Sequence, residues 1–432
     1  MADLLAPLLS SEAPTPDWLQ ARRLAGRAAW ESSCLPTRKT EDWKYTSLFA
    51  LKQPFTSASE SSESAQEIGL DLPQLSGSRL VFVNGFWRED LSEIVPDAAI
   101  ELVRFSEADE RQAELISEHL GSIVPNNKHP FTTLNDAGLS EGVFLRILTE
   151  SKAARPVQLV WHNSKQADAA ISSQRLLVLA EQHSEATVIE HFSGKGHSFT
   201  NGLSELILEA GATLNHSRLH LESAEALHIG GLHAGLNRDA TLNSFHVAFG
   251  GKLKRLDVVI NHRGRGAHCQ LDGMYLLCGQ EHMDYHTCIE HAAPHCSTDE
   301  TFRGIVGDKA RGIFNGRIHI HPDAQKTRAE LSNKNLLTSA TAEVNTKPEL
   351  EIYADDVQCA HGATVAQLDE SMLHYLQTRG IPADKALVLL SYGFINALVE
   401  KQRLESLRVY LKPLLANYFG SALAQKPADA AR

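Results

Sequence analysis

Ala186-Thr-Val-Ile189, Ala212-Thr-Leu-Asn215, Ala240-Thr-Leu-Asn243 and Ala267-His-Cys-Gln270 follow one another at intervals of 26, 28 and 27 residues. Each copy opens on a small residue and continues with alternating polar and apolar positions. A weaker copy starts at Cys296, 29 residues on, and Ala363-Thr-Val-Ala366 resembles the start of another. A period of this length, with strand character and no helix between copies, predicts a stacked β-solenoid in which each coil buries its inward face on the next. A β-sandwich with coincidental spacing is the alternative reading of the period.

Strand patterns extend from these copies in both directions, from about residue 142 to 370. Gly142-Val-Phe-Leu-Arg-Ile147, Pro156-Val-Gln-Leu-Val-Trp161, Arg175-Leu-Leu-Val-Leu179 and Thr187-Val-Ile-Glu-His-Phe192 alternate or run apolar as buried strands do. Upstream, Asn84-Gly85 between two apolar runs marks a hairpin over Arg79 to Arg88. Residues 105–120 read as a short helix. Asp17 is placed to cap a helix beginning at Trp18, with Leu19, Leu24, Ala28 and Ala29 as its apolar positions. Downstream, Pro382 suits the first turn of a helix whose apolar positions are Leu387, Leu390, Phe394, Ile395 and Leu398. A second helix is expected from about Glu400 to Phe419, bent or broken at Pro413. The expected organisation is therefore a helical region at 1–55, a flexible polar linker at 56–70 and a mixed α/β region at 71–140. The β-solenoid follows at 141–372, and a helical region at 373–432.

Composition narrows the function. The 432 residues carry a formal charge of −12, and 43% are hydrophobic. That is ordinary globular composition, and the negative balance argues against a general nucleic-acid binder. No run of about 18 apolar residues exists to span a membrane. The first residues carry Asp3 and Glu12 and no basic n-region, so no secretory signal is expected. Six cysteines without a CxxC pair read as reduced thiols of a cytoplasmic protein, most of them in the core. Phosphate-loop, dinucleotide and esterase signatures are all missing from the sequence, so no directly bound nucleotide is expected.

Two groups of metal-ligand residues stand out. His282-Met-Asp284-Tyr-His286-Thr-Cys288-Ile-Glu290-His291, with His295 and Cys296, is dense in imidazole and thiol. On a strand, however, i and i+4 side chains lie roughly 13 Å apart, too far to close one mononuclear site. The second group is Cys359-Ala-His361, whose i, i+2 spacing puts both side chains on one face of a strand. Two donors leave a four-coordinate site incomplete, so distant residues, waters or a second chain must finish it.

Residues 301–396 resemble the SufB/SufD family of iron–sulfur cluster assembly proteins. The matching text is Phe302-Arg-Gly-Ile-Val, Ala310-Arg-Gly-Ile-Phe-Asn-Gly-Arg317, Ala324-Gln-Lys-Thr327, Asn333-Lys-Asn-Leu-Leu337, Pro348-Glu-Leu-Glu-Ile352, Ala354-Asp-Asp-Val-Gln-Cys-Ala-His-Gly-Ala-Thr364 and Tyr375-Leu-Gln-Thr-Arg-Gly-Ile381. Thr40-Glu-Asp-Trp-Lys-Tyr45 resembles the family's N-terminal motif, and chain length and the Cys-x-His form resemble the SufD branch.

The resemblance implies a right-handed parallel β-helix flanked by N- and C-terminal helical parts. It implies a cytoplasmic, non-catalytic scaffold subunit that pairs with a SufB-like paralogue, a homodimer being the alternative pairing. A nascent iron–sulfur cluster would be shared transiently with that paralogue, with His361 as ligand and Cys359 beside it. A SufC-like ABC ATPase, the expected seat of ATP hydrolysis, would dock on the C-terminal helices through Leu387, Leu390, Tyr392, Phe394, Ile395 and Leu398. On this reading, removing residues 381–432 abolishes ATPase binding and leaves the solenoid folded. The competing readings are a metal-dependent β-solenoid enzyme with a site around His282, His286, His291 and His295, and a purely structural subunit.

Overall fold

The computed structural model describes residues 4–10, 15–61, 63, 64, 70, 72, 73, 75–124, 129–165 and 169–424, the last six as backbone. Two ten-stranded sheets form the body of the molecule, and successive strands of the chain alternate between them. Ala170–Ala180, Ser198–Leu208, Leu227–Leu236, Leu253–His262, His282–His291, Arg311–Ile320 and Glu343–Ile352 stack in parallel in the first sheet. Glu185–Gly194, Thr213–Glu222, Thr241–Phe249, His268–Leu277, Ser297–Val306, Arg328–Leu337 and Gln358–Gln367 do the same in the second. This is a parallel β-solenoid with helical segments at both ends of the chain.

The turn before six of these second-sheet strands, from Glu185–Gly194 to Arg328–Leu337, explains the repeat. A residue in the left-handed region stands there (His183, Gly211, Asp239, Gly266, His295 and Lys326, φ between 55 and 76°). A small residue follows it: Ser184, Ala212, Ala240, Ala267, Cys296 and Thr327, each exposed by no more than 1%. The corner of a coil leaves no room for a larger side chain, because the corner of the next coil sits directly on it. The register of the strands spaces these corners 28, 28, 27, 29 and 31 residues apart.

Two copies in the sequence alignment require correction. Ala186 pairs with Leu214, so the corner residue equivalent to Ala212 is Ser184, two positions earlier. Ala363 opens no coil; it pairs with Asn333 in the middle of the last strand. Alternation alone does not fix register when neighbouring positions are equally small.

The inner faces supply one continuous core, from Leu80 and Phe82 through Leu214, Leu242, Leu271 and Phe302 to Ala329 and Leu331. At the N-terminal end this core is closed. Ile100–Arg104 runs antiparallel to Val143–Ile147 at the limit of the first sheet. The hairpin Ser78–Val83/Phe86–Trp87 ends the second sheet, with Asn84 and Gly85 both at positive φ as a tight turn requires. Trp87, Ile100 and Leu102 pack over the core, and Phe82 stacks on Trp161.

Helices cover the outer faces. Gln20–Ser32 packs on Pro130–Gly138 through Gly26, where a Cβ would meet the backbone of Ala137 at 2.6 Å. Leu24, expected on the buried face, is 66% exposed as a result. Asp17 opens a 3₁₀ turn ahead of this helix, and its side chain makes no capping bond. A helix does span Glu110–His119 within the 105–120 stretch. Ala383–Val399 follows directly on Pro382, and Glu405–Ala424 runs through Pro413 as one helix, so of the two outcomes expected at Pro413, a bend or a break, the helix is not broken. Within 56–70, residues 62 and 65–69 lie outside the described residues, while Thr56–Ser57 pairs with Ala170 and Ile171.

The six cysteines are all free. Only Cys269 and Cys296 are buried; Cys278, Cys288 and Cys359 are half-buried and Cys34 is exposed, so the thiols are less of a core population than their composition suggests.

Candidate functional site

The C-terminal end of the solenoid is where the coils stop. Glu343–Ile352 and Gln358–Gln367 are the last strands of the two sheets, each paired on one side only among the described strands. Register decides which way their side chains point. Cys359 lies beside Ala329 and His361 beside Leu331, and both of those residues are buried in the core. Cys359 and His361 therefore belong to the inward row, but no further coil covers them. His361 is exposed, and Cys359 is half-buried against the end of the core. Along the strand they stand about 7 Å apart on one face.

Burial pushes the Cys359 thiol above its ordinary range, so a metal ion would have to displace a proton to gain a thiolate. Among the described residues, no third His, Cys, Asp or Glu ligand atom converges with this pair. Around it, Val344 and Leu350 pack partly on the core, while Ile352, Tyr353 and Val365 are exposed by 41, 62 and 44%. The open end thus combines an apolar rim, unpaired backbone and two soft donors.

The histidines of the 282–296 stretch do not form one site. Met283, Tyr285 and Ile289 face the core, so His291 points inward with them, while His282 and His286 point outward. His282 meets the Thr46 hydroxyl at 3.0 Å, and His286 pairs with Asp284 at 3.0 Å. His295 is a corner residue at positive φ. The expected enzyme-type site around His282, His286, His291 and His295 is therefore split by strand alternation.

The outward members instead anchor the N-terminal Thr40–Tyr45 motif. Trp43 is buried, with the Arg255 guanidinium 3.9 Å from its ring centroid. Arg255 in turn binds Asp257 at 3.0 Å and Asp284 at 2.9 Å and donates to the Asp42 carbonyl.

His291 does join a buried group. Its ring stacks on that of His262 at 4.3 Å, Thr298 bridges the two Nε2 atoms, and Cys296 lies near both. These three residues are exposed by no more than 1%, so an ion could exchange there only if the coil opened. A second interior group, His220, Glu222 and His228, already holds a cation: Lys254 Nζ lies 2.8 Å from Glu222.

The C-terminal helices cover the outer face of the second sheet. Ile395, Leu398, Val399, Leu407, Leu411 and Leu415 bury Ile189, Leu219, Phe245, Met274, Ile305 and Leu336. Of the residues expected to meet an ATPase, Ile395 and Leu398 are sealed against the chain's own sheet. Tyr392 and Phe394 pack partly on the same cluster, and Leu387 and Leu390 are half-buried. The helical periodicity that singled them out is the signature of the self-covered face. Apolar side chains left in solvent stand elsewhere: Met372 and Tyr375 on Glu370–Thr378, and Leu389, exposed by 53, 56 and 53%. No helix among the described residues is long and apolar enough to cross a membrane.

The chain is similar to known proteins along most of its length. The family model for the SufBD core domain of the SUF iron–sulfur cluster assembly system matches residues 161–394, and that for the SufBD N-terminal region matches residues 10–159. The iron–sulfur cluster assembly protein SufD of Escherichia coli is 33% identical over 380 residues, covering 87% of each chain. An iron–sulfur cluster assembly SufBD family protein of Synechocystis is 29% identical over 392 residues, 88% of this chain and 86% of that protein. SufD of Bacillus subtilis is 26% identical over 327 residues, 74% of each. The chain belongs to the SufBD family of iron–sulfur cluster assembly proteins.

Proposed function

We propose that this chain is a scaffold subunit of a SUF-type iron–sulfur cluster assembly complex, acting in the cytoplasm without catalysis of its own. Its open coil end receives a SufB-like paralogue, and His361, with Cys359 beside it, offers donor atoms to a nascent cluster held between the two chains. The observation that carries the reading is the inward but uncovered position of His361 on a strand whose outer edge is unpaired. An unpaired edge strand is a template for a strand of another chain. A second chain seated there would continue the core, desolvate the two donors and bring the missing ligands. Such a divided ligand set suits a site that must release what it builds, because separating the chains, or shifting them, opens it. A homodimer is the alternative pairing at the same end.

The test is anaerobic co-purification of His361→Ala with a SufB-like paralogue and an ABC ATPase partner, followed by iron and sulfide counting. The expected outcome is a complex of normal composition with a greatly reduced cluster content. Undiminished iron and sulfide would remove His361 from the site, and if Cys359→Ser/His361→Ala also behaves as the parent, the subunit is purely structural.

A SufC-like ATPase docks, in the same proposal, on the C-terminal helical part through its solvent-facing apolar residues, foremost Met372, Tyr375 and Leu389. ATP hydrolysis belongs to that partner. Removing residues 381–432 is not a clean test, because it uncovers the apolar face of the second sheet. Tyr375→Asp with Leu389→Asp leaves that face covered. Loss of the ATPase from a pull-down is the expected result, and full retention would place the contact elsewhere.

A further inference from the structure

The outer face of the first sheet carries a donor set that lies apart from the open end. Strands His282–His291 and Arg311–Ile320 pair in parallel, and their register sets Glu290 beside His319. His321 follows two residues later, just past the strand end, on the same side. Glu290 Oε2 lies 2.6 Å from His319 Nδ1 and 2.9 Å from His321 Nε2. The other carboxylate oxygen, Oε1, accepts from Arg317 Nη1 at 2.8 Å, and Arg317 is itself held by two bonds to Glu351 at 2.7 and 2.8 Å. The carboxylate is thus fixed from behind, with one oxygen turned to two imidazoles.

The spacing is that of a coordination edge. An ion with metal–nitrogen bonds of about 2.1 Å and right-angle ligands needs donors roughly 3.0 Å apart. Glu290 and His321 line a cleft of about 870 Å³ whose walls carry six carboxylates and three lysine and arginine side chains, a field that favours a cation. His321 is 41% exposed, so solvent ligands can complete the shell and an ion can enter and leave. Two imidazoles and one carboxylate, with room for solvent ligands, are the donor set that suits ferrous iron.

We infer that Glu290, His319 and His321 form an exchangeable site for a divalent first-row transition ion, with ferrous iron as its physiological occupant. The competing account is an ion-paired network in which both imidazoles donate N–H to Glu290. Sequence patterning singled out Glu290 only within the 282–296 stretch and missed His319 and His321. The signal available was His-x-His one repeat length after Glu290.

The full-length chain, stripped with chelator and kept anaerobic, is titrated with cobalt(II), read by its visible absorption, and with ferrous iron, read by equilibrium dialysis. One ion per chain is expected, bound at least about tenfold more weakly by His319→Ala and by Glu290→Gln. Unchanged thermal melting of the two variants shows that the fold is intact. Cys359→Ser/His361→Ala should bind as the parent does. Absence of saturable binding, or parent-like binding by His319→Ala and Glu290→Gln together, overturns the inference. Loss of the ion in Cys359→Ser/His361→Ala alone also overturns it, and moves the metal to the open end.

Discussion

The two ends of the solenoid have been treated differently by the same chain. At the N-terminal end, antiparallel strands finish both sheets and aromatic side chains cover the core. Midway along the first sheet, the Glu41–Trp43 turn is riveted to the outer face by Arg255, whose charge is shared among Asp257, Asp284 and the Asp42 carbonyl. At the C-terminal end, no strand among the described residues covers the inward row of the last coil or pairs with its outer edges. A solenoid without a terminal cap is normally a liability, since exposed edges recruit other chains. Capping one end and leaving the other bare confines that liability to a single end of the solenoid.

The largest expected effect is that of Arg255→Ala, which frees the N-terminal segment from the middle of the first sheet. It strands two buried carboxylates and removes the cation over Trp43, so a loss of about 3 to 5 kcal/mol is expected in denaturant unfolding. A parent-like midpoint would mean that the N-terminal segment is not anchored through this residue. Next comes the cover over the second sheet. Ile395→Ala should cost about 2 to 4 kcal/mol, because the side chain is sealed between helix and sheet. An effect below about 1 kcal/mol would show that the helices rest on the sheet loosely enough to detach.

Buried histidines and a buried glutamate make stability depend on pH in opposite directions. His162 and His191, near the closed end, are pushed down to about 4, chiefly by burial. Below pH 6.5 the unfolded chain takes up protons that these folded imidazoles refuse, so stability falls as pH drops from 6.5 towards 4. Glu300, nearer the open end, is pushed up to about 7 by burial, with the Thr287 hydroxyl as its partner. Between pH 4.5 and 7 the native state keeps a proton that the unfolded chain has released. Stability from this group is therefore lost as pH rises through that window, by up to about 3 kcal/mol. Glu300→Gln should flatten that limb in thermal melts at pH 5 and pH 8, and leave the acid limb in place. An unchanged slope would show that Glu300 titrates normally. The smallest effect belongs to the open end itself: His361→Ala, in solvent, should change stability by less than about 0.5 kcal/mol. A larger loss would mean that the residue packs, and would weaken its assignment as a free donor.

Much of this fold is legible in the sequence. The period came from corner residues such as Ala212, Ala240 and Ala267, which must be small because coils stack on them. The i, i+2 rule placed Cys359 and His361 on one face, since a strand has no other way to arrange them. The hairpin at Asn84-Gly85 followed from its turn chemistry. What misled was periodicity taken as function. Ile395 and Leu398 repeat at helical spacing because they cover the second sheet, and a face that buries itself looks in sequence like a face awaiting a partner. The density of histidine around 282–296 likewise hid the fact that consecutive side chains leave a strand in opposite directions.

The sequence by itself determined the repeat, the strand character and the family, because small corners, alternation and motif text are local properties of the chain. Only the tertiary structure decided that the inward row ends uncovered at Cys359 and His361, and that Glu290 meets His319. Those facts depend on the register between strands about thirty residues apart and on where stacking stops. Both are fixed by the packing of whole coils and by no single stretch of residues.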